Sequence, residues 1–359
     1  MNVRRPAGLR RRTLSVAVAA GLALAAAAQA SSGPTASPGA SKEAPRRVTF
    51  IAQDFRNGGI AAVFRGFEEA CRELGWTLTV SNGNGERAKV RAHFERAVAS
   101  SAEGIVLGGF NETDIADLMP TEAGAAKPML VGWHAAARPG ATPLLQANVT
   151  TEPAAVAEKA VELVVQSERA RVGVVIFSDS RFEIANVKTR RMVEVLQRCA
   201  RCEVLGVEDM PISDASRAMP AALTRLQQRH GARWTHVLAI NDVYMDSLSF
   251  PLRAMGRSDI VGIAAGDGSR TALSRIRSGR SMQFATIAEP TALQGWQLAD
   301  ELRRGFAGQP PSGRVAQPVA VTTALLQGLS ATAGIDDALS YRETYRLEWF
   351  GAPGGSPRP

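Results

Sequence analysis

Between residues 48 and 288 short apolar runs alternate with longer amphipathic segments, and this alternation admits few folds. The run 48–52 (VTFIA) is rich in β-formers and predicts a buried strand. Ile60, Val63, Phe64, Phe67, Ala70, Cys71 and Leu74 then recur at helical spacing, and Gly75 marks the stop. A strand at 76–80 leads into the Asn-Gly-Asn-Gly turn at 82–85, a helix over 86–100 and a strand at 104–108. Further runs fall at 129–132, 171–177, 204–207, 236–240, 260–264 and 284–287. Such alternation predicts parallel sheets with helices on both faces. The stretch is too long for one open sheet, so the expected fold is α/β, with two doubly wound parallel-sheet lobes. No helical-repeat or propeller period is present.

The chain's 359 residues suit two domains. Its formal charge of +8 is concentrated at the start, where Arg4, Arg5, Arg10, Arg11 and Arg12 leave 37 basic against 34 acidic residues for the rest. A nucleic-acid-binding body is therefore not expected. Residues 14–28 form an apolar run that is short for a membrane span, and Ala28-Gln29-Ala30 follows. Basic region, apolar core and small-x-small site in that order predict a signal peptide over 1–30, cleaved after Ala30, and a periplasmic protein. The Arg11-Arg12 pair leaves Sec and twin-arginine export both open. No cysteine near the cleavage site suggests a lipid anchor. Residues 31–45, rich in Ser, Pro, Gly and Ala, read as a flexible linker, and 351–359 as a flexible tail.

In open α/β sheets ligands sit beyond the carboxyl ends of the strands. Gln53, Asp54, Phe55 and Asn57 follow the first strand. Phe110 and Asn111, Trp133 and His134, 178–181, Asn241 and Asp242, Asp267 and Glu289 follow later ones. Amides and acids bond hydroxyls while aromatic faces cover C–H surface, so this set suits a polar small molecule held between lobes. Any one of the Asp and Asn residues could equally be a helix cap. Capping does not call for Trp133 or Phe110 at a strand end.

Four motifs then occur in register. Residues 240–245 (INDVYM) resemble the A-x-N-D element of type I periplasmic binding proteins of the ribose-binding-like group. Ala265-Gly-Asp267-Gly268 with Leu273 and 276–279 resembles that family's G-x-D-G…I-x-x-G element. Residues 285–289 (ATIAE) with Gly295 resemble its A-T-I-A-Q…G segment, and Phe64-Arg-Gly66 with 67–75 its opening helix. The resemblance runs from about residue 46 to about 310 and implies two lobes joined by a three-crossover hinge near 148, 289 and 320. It implies an N-terminal lobe of 46–148 plus 290–320 and a C-terminal lobe of 149–289 plus 321–350. Carried over by position, it implies ligand contacts from Asn57, Trp133, His134, Asn186, Asn241, Asp267 and Glu289. Asn57 and Asn241 would bond sugar hydroxyls, and Asp267 would accept from two of them.

Departures from the family pattern shape the expected ligand. Gly59 and Ile60 occupy positions where the family often stacks aromatics. Trp133-His134 replaces an Asp-Arg pair, Asn186 an arginine and Glu289 a glutamine. The pocket thus loses cations and gains an acid, which predicts a neutral or cationic ligand other than plain ribose, unless Arg181 or Lys188 restores positive charge. Asp54 joins the expected lining, and Phe55 or Phe182 with Trp133 would supply the stacking surface.

Cys199 and Cys202 read first as a short-loop disulfide in an oxidising compartment, with a redox C-x-x-C as the alternative, while a two-cysteine zinc site lacks other ligands nearby. Cys71 lies on an apolar helix face as a buried thiol. His93, His230 and His236 lack ligand spacing, so no metal site or other cofactor is expected. No G-x-S-x-G elbow or phosphate-binding loop is present, and no catalytic residue is assigned. Asn111-Glu-Thr and Asn148-Val-Thr fit the glycosylation pattern, which often arises by chance. Residues 319–323 and 345–350 are candidate late strands.

The expected protein is a monomeric, non-enzymatic solute-binding protein. It would capture a sugar or sugar-like polyol and deliver it to an ABC importer's permease. The rivals are a sensing protein that docks on a chemoreceptor or sensor kinase, a secreted carbohydrate hydrolase using Asp267 and Glu289, and a repressor effector domain.

Overall fold

The computed structural model describes residues 45–121, 126–330 and 335–351. The predicted signal, nearly all of the linker 31–45, and the tail from 352 lie outside the described residues. No described helix is long and apolar enough to cross a membrane.

The first sheet is built by β1 (Arg47–Ala52), α1 (Gly58–Leu74), β2 (Thr77–Asn82), α2 (Arg87–Ala99), β3 (Gly104–Gly108), β4 (Met129–Trp133) and β5 (Ala147–Val149). Its order is β2-β1-β3-β4-β5, with every pairing parallel. The central β3 is buried at all five positions, as expected of a strand covered on both faces, whereas the edge strand β2 is half-exposed. The short β5 has no counterpart in the sequence reading, because three residues carry too little periodicity to register.

The chain then crosses into a second sheet. Its elements are α3 (Pro153–Val165), β6 (Val172–Ser178), α4 (Glu183–Leu196), β7 (Cys202–Asp209), α5 (Ala215–His230), β8 (His236–Ala239), α6 (Val243–Asp246), α7 (Ser249–Ala254), β9 (Val261–Ala264), α8 (Arg270–Ser278) and β10 (Gln283–Ala288). After β10 the chain returns to the first lobe as α9 (Thr291–Phe306), then crosses back as β11 (Val319–Thr322) and α10 (Thr323–Gln327). The second sheet runs β11-β10-β9-β8-β6-β7, with β11 alone antiparallel. Two parallel-sheet lobes with interlobe crossovers after β5, after β10 and before β11 are the expected architecture.

Two glycines set how α1 and α9 meet. A Cβ on Gly66 would lie 2.4 Å from the Ala292 carbonyl oxygen, and one on Gly295 would lie 2.3 Å from that of Val63. The helices therefore touch backbone to backbone, which only glycine permits. Asn57 caps α1 through a bond from Gly59 N to Oδ1 (2.9 Å), and Gly75 closes it at φ +70°.

The C-terminal segment corrects the sequence reading. Residues 345–350 are not a strand but part of α11 (Tyr341–Phe350), and α11 packs on the first lobe, although 321–350 was assigned to the second. Tyr341, Tyr345 and Trp349 recur every four residues, a helical period masked by their β-forming side chains. All three rings gather on Trp296 of α9, with Trp349 stacked on it at 5.2 Å. Trp349 Nε1 donates to Asp300 Oδ1 (2.8 Å), and Arg342 Nε donates to Glu69 Oε1 on α1 (2.7 Å). The chain thus crosses between lobes a fourth time, between α10 and α11.

Cys199 and Cys202 are disulfide-bonded, joining the end of the α4 segment to the start of β7. Cys71 is a buried thiol whose pKa burial pushes up.

Candidate functional site

The carboxyl ends of both sheets face one cavity. From the first lobe come Gln53, Asn57, Gly109, Trp133 and His134. From the second come Phe182, Ile184, Ala185, Lys188, Ile212, Ile240, Asn241 and Asp267. Each polar member sits just past a strand or on the first turns of the following helix, where side chains leave the sheet toward the cleft.

Charged groups are buried together here. Glu289, 2% exposed, lies at the end of β10, beneath the lining. Its Oε2 accepts from His134 Nε2 (3.0 Å), Gln294 Nε2 (3.2 Å) and the backbone N of Thr151 (3.3 Å). Its Oε1 lies 3.5 Å from Lys188 Nζ. Burial alone would raise the Glu289 pKa, but the charges of His134 and Lys188 and the bonds from His134 and Gln294 hold it well below the usual carboxylate range. Asn241 Nδ2 donates to Asp267 Oδ2 (2.5 Å), and Asn241 Oδ1 accepts from Val243 N (2.9 Å). Burial raises the Asp267 carboxyl, partly offset by Lys188 and His134. Asp242 takes bonds from Gly268 N, Ser269 N and Gln283 Nε2 at 2.8–3.0 Å. Burial and the charge of Asp267 nevertheless push its pKa up to about 7.

His134 and Asp267 both hold left-handed backbone, φ +55° and +47°. Held strain of this kind concentrates at sites that use it. The His134 ring stacks on Trp133 at 3.8 Å and 12°, while Trp133 Nε1 donates to Gln294 Oε1 (2.9 Å). Gly59 brings the lobes into contact, since a Cβ there would lie 2.3 Å from Asp267 Oδ2. The aromatic often found at this position in the resembling family would occupy space that Asp267 fills.

Of the expected ligand contacts, Asn57, Trp133, His134, Asn241, Asp267 and Phe182 line the cavity, and Glu289 supports it from beneath. Three lie elsewhere. Asp54 is engaged by Arg56 through its side chain (2.6–3.0 Å) and its backbone N, which anchors the β1–α1 loop. Phe55 turns away from the cavity and packs on Phe50 and Phe64 of the first lobe's core. Asn186 points away and donates to the Ser180 carbonyl (2.9 Å). It is a fraction of a turn off the face of α4 that Ile184, Ala185 and Lys188 present to the cavity.

The expected loss of pocket cations is also corrected. Lys188, 3% exposed, faces the cavity, whereas Arg181 pairs with Asp179 (2.6 Å). The sequence carries a signal for Lys188, because Ile184, Lys188, Met192 and Leu196 repeat every four residues. A lysine on that apolar stripe needs a buried partner. Gln53 is among the strand-end residues expected there, whereas Gln294, inside α9, carries no comparable signal. His134, Asp267 and Glu289 bring one possible metal-ligand atom each within 4.8 Å of one another. The Lys188 ammonium already supplies positive charge to that set.

A model of the Periplasmic binding protein domain matches residues 48–310. No curated protein matches the sequence. Solved structures do. A sugar ABC transporter protein of Yersinia enterocolitica aligns with TM-score 0.73 at 14% identity, over 89% of this chain and 98% of that one. The 5-methylthioribose transporter solute binding protein of Thermotoga lettingae, in complex with 5-methylthioribose, gives 0.69 and 14%, over 86% and 94%. The Caulobacter myo-inositol binding protein, bound to myo-inositol, gives 0.66 and 18%, over 80% and 98%. At these identities the likeness to solved structures is one of fold, while the family model spans most of the chain, and the chain belongs to the periplasmic binding protein domain family.

Proposed function

We propose that the chain is an exported solute receptor that closes its two lobes on a neutral polyhydroxylated molecule, a sugar or sugar-like polyol, and delivers it to an ABC importer. The single observation that carries this reading is the interlobe wall, where amides and a carboxylate from separate lobes converge beside an aromatic ring. Asn57 and Asn241 each offer an amide edge, and Asp267 offers a charged acceptor for hydroxyls. Lys188 sets one positive charge against the carboxylates of Asp267 and Glu289, so the buried set favours an uncharged ligand over a sugar acid. The bound sugars and polyols of the similar folds agree with this class. Residues 1–30 would direct export and be removed. The site acts by binding alone.

Closure gives the mechanism. Asn111 on the first lobe donates from Nδ2 to the Arg181 carbonyl (2.8 Å) and accepts from Glu183 N (3.2 Å), a clasp between lobes. Ligand contacts on both walls stabilise this closed arrangement over an open one.

The test is calorimetric titration with neutral monosaccharides, polyols and sugar acids. A saturable neutral ligand is expected. Asp267→Asn keeps the left-handed backbone affordable and removes a charge-assisted bond of about 1.5–3 kcal/mol, a loss of roughly 10- to 150-fold in affinity. Binding of sugar acids alone, or a hit that Asp267→Asn leaves unchanged, refutes the assignment.

A further inference from the structure

Asp267 and Gly268 are consecutive left-handed residues, φ +47° and +73°, in the loop between β9 and α8. An aspartate resists that conformation, so the turn needs groups outside it to hold it. Part of the hold is near the cavity, where Asp267 Oδ2 accepts from Asn241 and the Asp267 carbonyl accepts from Glu289 N (3.2 Å).

The rest comes from Asp242, which is 2% exposed and does not line the cavity. Its Oδ2 accepts from Gly268 N (2.9 Å) and Ser269 N (3.0 Å), the two amides that follow Asp267. Its Oδ1 accepts from Gln283 Nε2 on β10 (2.8 Å). Gln283 is oriented in turn by Arg275 of α8, whose Nε donates to Gln283 Oε1 (2.9 Å) and whose terminal nitrogen pairs with Asp246 at the end of α6. With its oxygen taken, Gln283 presents only N–H to Asp242. These three donors suit a carboxylate, whereas a carboxylic acid would turn its own O–H toward one of them.

The other groups around Asp242 are the Asp267 carboxylate and the Thr286 hydroxyl of β10. Lys188, His134 and Glu289 act on Asp267 rather than on Asp242 directly. Burial and the Asp267 charge oppose the ionised form of Asp242, the donors favour it, and the balance leaves it titrating at about 7.

We infer that Asp242 is a positioning residue for ligand binding: as a carboxylate it pins the turn at Asp267 and Gly268 and so aims the Asp267 side chain into the cavity, and taking up a proton frees the turn and weakens binding. This rests on the binding function proposed above and adds control of that site by pH. Binding needs the pinned turn, so affinity is full above pH 7 and falls as pH drops through it.

The first experiment needs no ligand. Residue-resolved amide hydrogen exchange is measured on the purified protein at pH 8 and pH 6 and corrected for the intrinsic rates. With titration at about 7, about one molecule in ten carries the proton at pH 8 and about nine in ten at pH 6. Protection of the Gly268 and Ser269 amides should fall by up to about tenfold over that interval, while the amides of β8 and β9 keep theirs. Asp242→Asn, which sets an N–H₂ against one of the donors, should show at both pH values the low protection that the parent has at pH 6. Gln283→Met is the second variant. It removes one bond to the carboxylate, so it should move the midpoint of the parent profile up by about one pH unit. Calorimetric titration with myo-inositol, D-arabinose and 5-methylthioribose is the second experiment. Whichever binds should lose up to about tenfold in affinity from pH 8 to pH 6 in the parent, and Asp242→Asn should bind with the weaker affinity at both. Burial also raises the Asp267 carboxyl, so the affinity profile alone does not separate the two acids, whereas the two amides report the Asp242 bonds directly. Protection of Gly268 and Ser269 that changes neither with pH nor in Asp242→Asn overturns the inference. So does a midpoint that Gln283→Met leaves in place. Affinity lowered by Asp267→Asn but unchanged by Asp242→Asn overturns the positioning role and leaves the binding function intact. Absence of any carbohydrate binding overturns that function and, with it, the role of the turn in binding.

Discussion

Replacing Glu289 by glutamine tests the buried charge set directly. The substitution keeps the volume and removes the charge that faces His134 and Lys188. Lys188 is 3% exposed and would be left without this counter-ion, although Asp267 remains nearby. Removing one partner of a buried pair costs about 3–5 kcal/mol. With an unfolding entropy of about 2.1 cal/mol/K per residue over roughly 300 folded residues, each kcal/mol lowers Tm by about 1.6 °C. The variant should therefore melt about 5–8 °C below the parent at pH 7. Scanning calorimetry on the ligand-free protein reads this, with a single transition as the condition for comparing the two. The pH dependence has a definite sign. The Glu289 pKa is lower folded than its ordinary 4.5, so its ionised form stabilises the fold above that value. The contribution is lost as pH falls from there toward the depressed folded pKa. The gap between parent and variant should hold from pH 8 to about 5 and shrink below about 4.5. A gap under about 1 °C at pH 7, or one that widens on acidification, refutes the reasoning.

Two further outcomes follow from packing. Gly59→Ala places a methyl 2.3 Å from Asp267 Oδ2, a contact between lobes rather than within one. It should hold the lobes apart, leaving Tm nearly unchanged while ligand affinity falls by about tenfold or more; equal affinity with an unchanged scattering radius would show that closure does not bring Gly59 to Asp267. Trp349→Ala empties the ring stack on Trp296 and removes the bond to Asp300. It should cost about 3–5 kcal/mol in urea unfolding, and a cost below about 1 kcal/mol would mean that α11 is not integral to the first lobe.

The architecture was legible because it depends on period alone. β1 and β3 are continuous apolar runs, α1 repeats at helical spacing, and the alternation of the two leaves parallel sheets as the way to bury them. Strand ends then place Trp133, His134, Asn241 and Asp267 on one side of their sheets, and they do meet at the cavity. The same rule fails one residue into a loop. Asp54 and Phe55 directly follow Gln53, yet Asp54 turns to Arg56 and Phe55 to the aromatic core, because loop direction follows local partners rather than a period.

The sequence by itself determined the two-lobed α/β plan and the end of each sheet where a ligand can sit, since both follow from local periodicity and strand polarity. Tertiary structure alone decided which charges meet. Lys188 and Glu289 are 101 residues apart and pair only because the second lobe brings the second turn of α4 and the end of β10 to the same side of the cavity. The phase of α4 put Lys188 in the cavity and Asn186 outside it. Three rings on α11 found Trp296 rather than the second sheet. Each outcome depends on the three-dimensional packing of segments far apart in the chain, a term that no local period encodes.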